Sequence, residues 1–442
     1  PLQKFQVTQE VGLNVTEGGV PGPFYNVSLR NRNTFQGSEI MELNGFVGIE
    51  DVAAATDQNS LFRSLQYGAN LSLTFPRFML PFNGRPLNRS AFNAKSRLSL
   101  GFSFTNRPEF IRSILNGSFG YTWQNTAGTK IFKLNLAEIN LIDTDRISDA
   151  FAEQLDNLAQ QGNTLALAFL PSFVSSTSFT ATFNNNYGAK ASPTNFLSLF
   201  GESGGFIQNF VGTGLLENNE LEFYKFVKFQ VDFRRNVPVT DTRSMVFRAN
   251  FGYALPYSKN EALPYEKFFF TGGSNSNRAW NPRRLGPGSS FPYLLDDNGQ
   301  NVLDENGDLV PNRTGRESFR FEQPGEILLE LNMEWRDNIT GFLDYAFFID
   351  AGNVWRIKEF TAPEDAEVIR VSEGGEFNIN NFYKEIAVGA GFGLRFDFDF
   401  LVFRLDIGHK IKDPRFPEGK RWLKPFTRSG QTVWNIGVGY PF

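Results

Sequence analysis

Hydrophobic and polar residues alternate with a period of two in many separate segments of this chain. Between residues 227 and 234, Val and Phe occupy the odd positions, whereas Lys, Gln, Asp and Arg occupy the even ones. Successive side chains of a β-strand point to opposite faces, so each such segment predicts a strand with one apolar and one polar face. About sixteen strands are predicted in this way, near residues 4–17, 24–34, 38–50, 64–78, 96–106, 112–124, 130–142, 165–185, 194–201, 223–236, 243–254, 325–336, 340–355, 384–397, 399–412 and 431–442.

Two stretches depart from this alternation. One has the spacing of a helix and reads Ile147, Phe151, Leu155 and Leu158. Asp145 is suited to cap its start and Gly162 to end it, so we expect a short loop helix there. The other stretch spans residues 255–322 and is too long for an ordinary connection, which indicates a functional segment.

Composition narrows the class of protein. The chain of 442 residues has 49 Phe, one His, no Cys and a net charge of −4. Without Cys there is no disulfide framework, thiol catalysis or thiolate zinc site, and one His excludes a poly-His metal centre. We therefore expect no metal and no cofactor. A nucleic-acid partner is not expected either, because such a protein carries a basic excess.

The alternation fits a soluble β-sandwich or a transmembrane barrel. Phe and Leu form the apolar face of so many strands that one sandwich core cannot hide them, whereas lipid can cover them on a barrel. The charged opposite face suits a wet lumen, and a sheet in hydrocarbon must close on itself. We predict an all-β fold over residues 1–442, a 16-stranded antiparallel transmembrane β-barrel with extended extracellular loops. The alternative is a β-rich binding protein that does not cross a membrane and is either soluble or attached to the cell surface.

The long non-alternating stretch carries a family resemblance. It contains Phe270-Thr271-Gly272-Gly273, then Asn277-Arg278-Ala279-Trp280, then Leu285-Gly286-Pro287. It resembles the inward-folded loop of the BamA/TamA superfamily of outer-membrane protein assembly insertases. That loop has an aromatic, two glycines, a Val-Arg-Gly-aromatic tetrad and Leu-Gly-Pro. Arg278 matches the tetrad arginine and Trp280 its aromatic, while Asn277 and Ala279 depart from the pattern.

Two further segments follow in the same order and spacing. Phe348-Ile349-Asp350-Ala351-Gly352-Asn353-Val354-Trp355 is similar to the Phe-x-Asp-x-Gly-x-x-Trp strand of that superfamily. Residues 389–395, followed by 403–406, look like its penultimate strand pair. The resemblance covers residues 265–442, and the first 260 match only as generic strands. Residues 31–37 form an Asn-rich connection that favours a TamA-like member over a BamA-like one.

The resemblance implies a loop lock inside the barrel. Arg278 would contact Asp350, with Glu334 on the preceding strand as a second acceptor, and a guanidinium can meet a carboxylate bidentately. Gly272, Gly273 and Trp280 complete this predicted site.

The resemblance also implies a lateral seam between the first and last strands. Closure would pair residues 5–16 with 431–442. The residues assigned to the seam are Phe5, Val7, Val11, Gly437, Gly439, Tyr440 and Phe442. Gly437 and Gly439 weaken a strand interior, and Pro441 cannot donate to a ladder, so the junction should be weak and open to β-augmentation. An alternative is that the glycines only permit curvature and that Pro441 frays an end.

The predicted function is non-enzymatic assembly of other barrels in the bacterial outer membrane. The expected partners are the outer-membrane bilayer, client outer-membrane proteins, and periplasmic or lipoprotein accessory subunits. The resemblance also implies POTRA domains upstream, and we interpret a start at Pro1 without Met as a processed or truncated product. A two-partner secretion transporter or a passive channel is the alternative function. His409 is expected to be structural, and the acidic residues within 296–308 to form a solvated loop.

Overall fold

A computed structural model describes most of the chain. The described residues are 3–14, 19–20, 22–53, 61–80, 91–107, 110–149, 151–153, 155, 169–185, 192–205, 221–257, 263–291, 293–294, 302–306, 309–311, 323–358, 374–398, 401–427 and 430–442.

Sixteen long strands form one sheet within these residues, as the alternation predicted. They are β1 (Phe5–Asn14), β2 (Gly22–Arg32), β3 (Ile40–Ala53), β4 (Leu61–Phe75), β5 (Phe92–Asn106), β6 (Phe110–Gln124), β7 (Lys130–Ile147), β8 (Ser172–Asn184), β9 (Thr194–Gly204), β10 (Phe226–Pro238), β11 (Ser244–Pro256), β12 (Ile327–Thr340), β13 (Leu343–Trp355), β14 (Ala387–Asp397), β15 (Val402–Lys412) and β16 (Thr432–Val438). Two further strands, Gly19–Val20 and Glu222–Phe223, have two residues each.

Each long strand pairs antiparallel with the next one in the chain, from β1–β2 through to β15–β16. The arrangement is a barrel meander, and the predicted fold class is confirmed. The connections lie alternately at its two ends. We call the end with the turns 33–39, 125–129, 239–243 and 341–342 the short-turn end, and the opposite end the long-loop end.

The two faces of the wall differ as the sequence pattern predicts. Phe229 and Phe251 on neighbouring strands point outward and remain 44% and 43% exposed, because no protein covers this face. Lys228, Asn250 and Glu330 point inward and are buried. An apolar outer face and a polar interior are typical of a barrel that crosses a membrane.

The predicted loop helix begins later than expected. Strand β7 continues through Asp145 to Ile147, and the helical turn starts at Ser148, whose carbonyl oxygen accepts from the amides of Phe151 and Ala152. Ile147 pairs with Phe110 of β6, and Asp145 lies at a bulge inside the same strand, so Asp145 is not a cap. Phe151 and Leu155 are buried, and Leu158 and Gly162 lie outside the described residues.

Among the residues that the structure describes, no helix is both long and apolar enough to cross a bilayer.

Candidate functional site

The connection between β11 and β12 folds into the barrel from the long-loop end. Its residues Leu263, Phe268 and Phe269 are buried against inward-facing apolar side chains of the wall, Phe226, Ala254, Leu328 and Val354 among them. The lumen at this level is therefore partly apolar, whereas the sequence pattern predicted a charged one. Lys228 and Lys267 remain there, against the rings of Phe269 and Phe226. Burial of this cluster removes apolar surface from water and holds the loop against β10–β13.

Arg278 lies deeper in the lumen and contacts two carboxylates. Its Nε and Nη2 donate to Oδ2 and Oδ1 of Asp350 at 2.8 and 2.9 Å, a bidentate pair, and its amide N–H donates to Oδ2 at 3.0 Å. Its Nη1 donates to Oε2 of Glu334 at 2.5 Å. All three side chains are fully buried. The guanidinium also lies 3.5 Å from the ring centroid of Phe348.

The electrostatics keep Arg278 charged. Burial on its own would lower the pKa of Arg278, but the nearby charges of Asp350 and Glu334 outweigh it and raise this pKa above its usual range. An opposite charge close to an ionisable group favours its charged form. The loop is therefore held by a permanent cation.

Glu334 and Asp350 belong to a larger ion cluster. Arg395 donates to Glu334 at 3.2 Å and to Asp406 at 2.6 Å, and Arg404 donates to Asp406 at 3.1 Å. Arg336 donates to Glu334 at 2.8 Å. The members come from the loop and from four consecutive strands, β12 to β15, so the cluster ties the loop to one continuous part of the wall.

The tip of the loop has a second anchor. Thr271 donates to Oε1 of Glu330 at 2.9 Å, and Ser276 donates to the same oxygen. Asn250 of β11 donates to the other oxygen of Glu330 at 2.8 Å. On the opposite side of the tip, Arg404 donates to the carbonyl oxygen of Ser274 at 2.7 Å.

Glycines let the loop reach the wall. Gly272 and Gly273 have φ values of +102° and +96°, a backbone conformation that glycine adopts at little cost, and they turn the chain into the tip. On the wall, a Cβ at Gly408 would lie 2.3 Å from the carbonyl oxygen of Arg278, and one at Gly389 would lie 2.5 Å from Cβ of Ala279. Trp280 packs beside them with Ala279, Leu285 and Ala387, and is fully buried.

The end of the chain lies in the lumen rather than in the seam. Strand β16 ends at Val438, and Gly439 at φ +80° turns the chain inward. The ring of Tyr440 lies 4.4 Å from the Arg336 guanidinium, and that of Phe442 lies 5.7 Å from the Arg278 guanidinium. The amide of Gly439 still donates to the carbonyl oxygen of Val402 on β15. Tyr440 and Phe442 lie beside the ion cluster, where cation–π contacts hold their rings, and not in the strand pairing expected from the sequence.

The first and last strands form two free edges. Within the described residues, no ladder joins β1 to β16, although closure between 5–16 and 431–442 is the expectation from the sequence. Phe5, Val7 and Val11 on β1 point outward, and Val11 is 78% exposed. On β16, Ile436 is 68% exposed, far above Phe229 and Phe251 in the paired wall. These side chains have a neighbouring strand on one side only.

Gly437 is in β16, and a Cβ there would lie 2.5 Å from Nε of Arg404. Its lack of a side chain makes room for a member of the ion cluster. Asn435 on the same strand donates to the carbonyl oxygen of Arg278 at 2.9 Å. The loop lock and the last strand are thus in direct contact.

Sequence reasoning misses several members of the cluster. Arg395, Arg404 and Asp406 stand out only as parts of matching segments, and nothing singles out Glu330 and Arg336. The sequence does contain a signal for part of the cluster, because alternation places Glu330, Glu334 and Arg336 on the same face of β12. Which of these residues meet depends on strand pairing and on the path of the loop.

Two other groups of residues have candidate roles in the sequence. His409 faces outward, with Nδ1 2.9 Å from Oγ1 of Thr432 and its ring 4.7 Å from that of Phe426. Of the acidic stretch, Asp304 and Glu305 are exposed, and residues 296–301 and 307–308 lie outside the described residues.

The fold, the apolar outer face and the inward-folded loop define a transmembrane β-barrel of the bacterial outer membrane. Residues 8–442 match the Omp85 superfamily domain. The chain belongs to the Omp85 superfamily, and the resemblance to BamA and TamA proteins is confirmed at this level.

Three solved structures are similar to this chain at low sequence identity, and the first of them supports the fold. The crystal structure of BamA from Haemophilus ducreyi lacking POTRA domains 1–3 is 14% identical, with a TM-score of 0.59 over 98% of this chain and 70% of that one. CdiB from Acinetobacter baumannii is 11% identical with a TM-score of 0.45, covering 99% of this chain and 60% of that one. CdiB from Escherichia coli is 12% identical with a TM-score of 0.47, covering 99% and 63%. No curated protein sequence matches significantly.

Proposed function

We propose that this barrel assembles other outer-membrane β-barrel proteins by offering the free edges of β1 and β16 to incoming strands. The observation that carries the proposal is that, among the residues that the structure describes, β1 and β16 are not paired with each other, whereas the other long strands pair on both sides. A free strand edge presents unpaired N–H and C=O groups and templates β-augmentation. In hydrocarbon, an unpaired backbone group costs several kcal/mol, which favours pairing with a client strand.

The luminal loop supports this role by bracing the part of the wall that adjoins β16. It is anchored to β12–β15 through Arg278 and to β11–β12 through Glu330. A client strand can then be added at β1 while β11–β15, the strands that lead up to β16, keep their shape. Upstream POTRA domains, accessory subunits and a TamA-like subclass remain part of the proposal.

The test uses disulfides, because the chain contains no native Cys. Pairs of Cys, one at 7–12 and one at 434–438, are introduced and oxidised to join β1 to β16. The matched control joins Val7 to Leu29, a pair that is already opposite across β1–β2. We expect the seam disulfides to stop folding of an unfolded client barrel into vesicles that contain the purified protein, and the control disulfide to leave it unchanged.

Client folding is measured on unheated gels from the shift between folded and unfolded barrel. If a seam disulfide forms fully and the client still folds at the original rate, the lateral-edge mechanism is wrong. Depletion of this protein in cells distinguishes barrel assembly from the alternative function, secretion of one partner protein. Broad loss of outer-membrane barrels supports assembly, whereas loss of one secreted partner supports a two-partner secretion transporter.

A further inference from the structure

One part of the outer wall is covered by the chain itself. On β5 and β6, Ser96 and Tyr121 lie opposite each other and share the outward face with Leu98 and Phe119. Tyr121 is nevertheless only 5% exposed and Ser96 fully buried, although Leu98 two residues away is exposed. A segment outside the barrel must therefore shield this patch from the surroundings.

That shield is residues 77–80, which follow β4 at the short-turn end. We call them the outer-wall segment. The Tyr121 hydroxyl donates to the carbonyl oxygen of Met79 at 2.7 Å, and Ser96 donates to the carbonyl oxygen of Arg77 at 2.8 Å and accepts from the amide of Met79 at 2.8 Å. The Phe78 ring packs edge-on against Tyr121 and Trp123, with centroids 5.5 and 5.7 Å apart.

The level of this segment is that of an interfacial aromatic belt. Trp123 stacks on Phe132 at 5.4 Å, and Phe132 stacks on Phe179 at 6.3 Å, all on the outer face near the short-turn end. Aromatic rings of this kind mark the boundary between hydrocarbon and head groups. The outer-wall segment packs on this belt, so it lies at the same boundary.

The exposed side chains of the segment have the chemistry of that boundary. Met79 is 39% exposed, and the Arg77 side chain is exposed beside it. The Glu39 carboxylate attracts Arg77 electrostatically, but its hydrogen bonds come from the amides of Phe35 and Gly37 in its own turn. The sequence of the connection, residues 76–91, has three Arg and no Asp or Glu.

We propose that the outer-wall segment binds acidic phospholipid in the leaflet at the short-turn end. Met79 enters the acyl boundary, and Arg77 contacts the lipid phosphate. Interfacial binding of a basic, apolar element combines apolar burial with attraction to anionic lipid. The proposed partner is a lipid surface and requires no second protein.

The test places a single polarity-sensitive fluorophore on Met79→Cys in the otherwise Cys-free chain, reconstituted in vesicles of phosphatidylcholine with phosphatidylglycerol. Two matched sites are labelled separately. One site is Phe342→Cys: Phe342 is exposed at the same end, Asp344 follows it in the chain, and the amide of Asp397 donates to its carbonyl oxygen at 2.7 Å. The other site is Leu303→Cys, at an exposed residue of the long loop. Quenching is measured with nitroxide-labelled phosphatidylglycerol and phosphatidylcholine.

We expect both lipids to quench the probe at position 79, and phosphatidylglycerol to quench it more strongly. Arg77→Gln should reduce this preference by up to about fivefold, the factor for one arginine at an anionic surface. The probe at 342 should show no preference for the anionic lipid, and the probe at 303 little quenching. A probe at 79 that stays in water would overturn the proposal and favour a protein partner, and an equal response to both lipids would overturn the acidic-lipid assignment.

Discussion

The contact between Arg278 and Asp350 makes the sharpest prediction about the loop. Arg278→Met keeps much of the side-chain volume but removes the charge. Asp350 then retains Asn332, which donates at 2.9 Å, and the amide of residue 278. Glu334 keeps Arg336 and Arg395. Most of the lost stability therefore comes from Asp350, a fully buried carboxylate that the substitution leaves without its paired cation.

The expected loss of folding free energy follows from the cost of leaving a buried charge unpaired. Removing one partner of a buried pair costs about 3–5 kcal/mol. We expect Arg278→Met and Asp350→Asn each to lower the free energy of unfolding by an amount in this range. The double variant leaves neither charge unpaired, so its loss should fall short of the sum of the single losses by about 1–3 kcal/mol.

The assay is urea-induced unfolding in lipid vesicles, followed by the gel shift between folded and unfolded barrel. Arg243→Met is the matched control, since Arg243 pairs with Asp337 at 2.8 Å but is largely exposed. Asp337 is buried but keeps the hydroxyls of Thr242 and Tyr345 as donors. Loss of the solvent-screened Arg243 should therefore cost about 1 kcal/mol or less. If Arg278→Met loses no more stability than Arg243→Met, or if the two single losses simply add, the buried pair does not hold the loop.

Three further predictions concern the same region. Gly408→Ala should push the loop out of the lumen, because the new Cβ would lie 2.3 Å from the carbonyl oxygen of Arg278. Trypsin should then cleave after Arg278. The control is Gly201→Ala, whose Cβ would have nothing within 4 Å, and its loop should stay protected from trypsin. Phe442→Ala should lower the free energy of unfolding by about 2 kcal/mol, because the ring loses its contacts with Arg278 and Arg336. The control is Phe426→Ala, at a highly exposed ring, which should change this free energy by less than about 0.5 kcal/mol. Equal losses in the two variants would contradict the inward position of the chain end. Glu330→Gln should lower the free energy of unfolding by about 1–3 kcal/mol and speed tryptic cleavage of the loop. The reason is that Thr271, Ser276 and Asn250 all lose their charged acceptor. The control is Glu418→Gln, which removes an exposed pair with Lys384 and should leave the cleavage rate unchanged.

The class of fold could be predicted from the sequence because it depends on a local pattern. Alternation is a property of consecutive residues, and each of the sixteen strands contains its own pattern, as Val227 to Arg234 illustrate. The excess of Phe on one face required an apolar environment larger than one core, and lipid supplies it. The matching segments around Arg278 and Asp350 were sufficient to predict the contact between the loop and the wall.

The positions that only the tertiary structure decided are those set by contacts between distant parts of the chain. Tyr440 and Phe442 continue a strand pattern, yet Gly439 turns them toward arginines more than 100 residues away in the chain. Residues 77–80 carry no signal that places them outside the barrel, since their position depends on Ser96 and Tyr121. Alternation specifies which face a side chain occupies, but strand pairing and loop path determine which charges, rings and free edges meet.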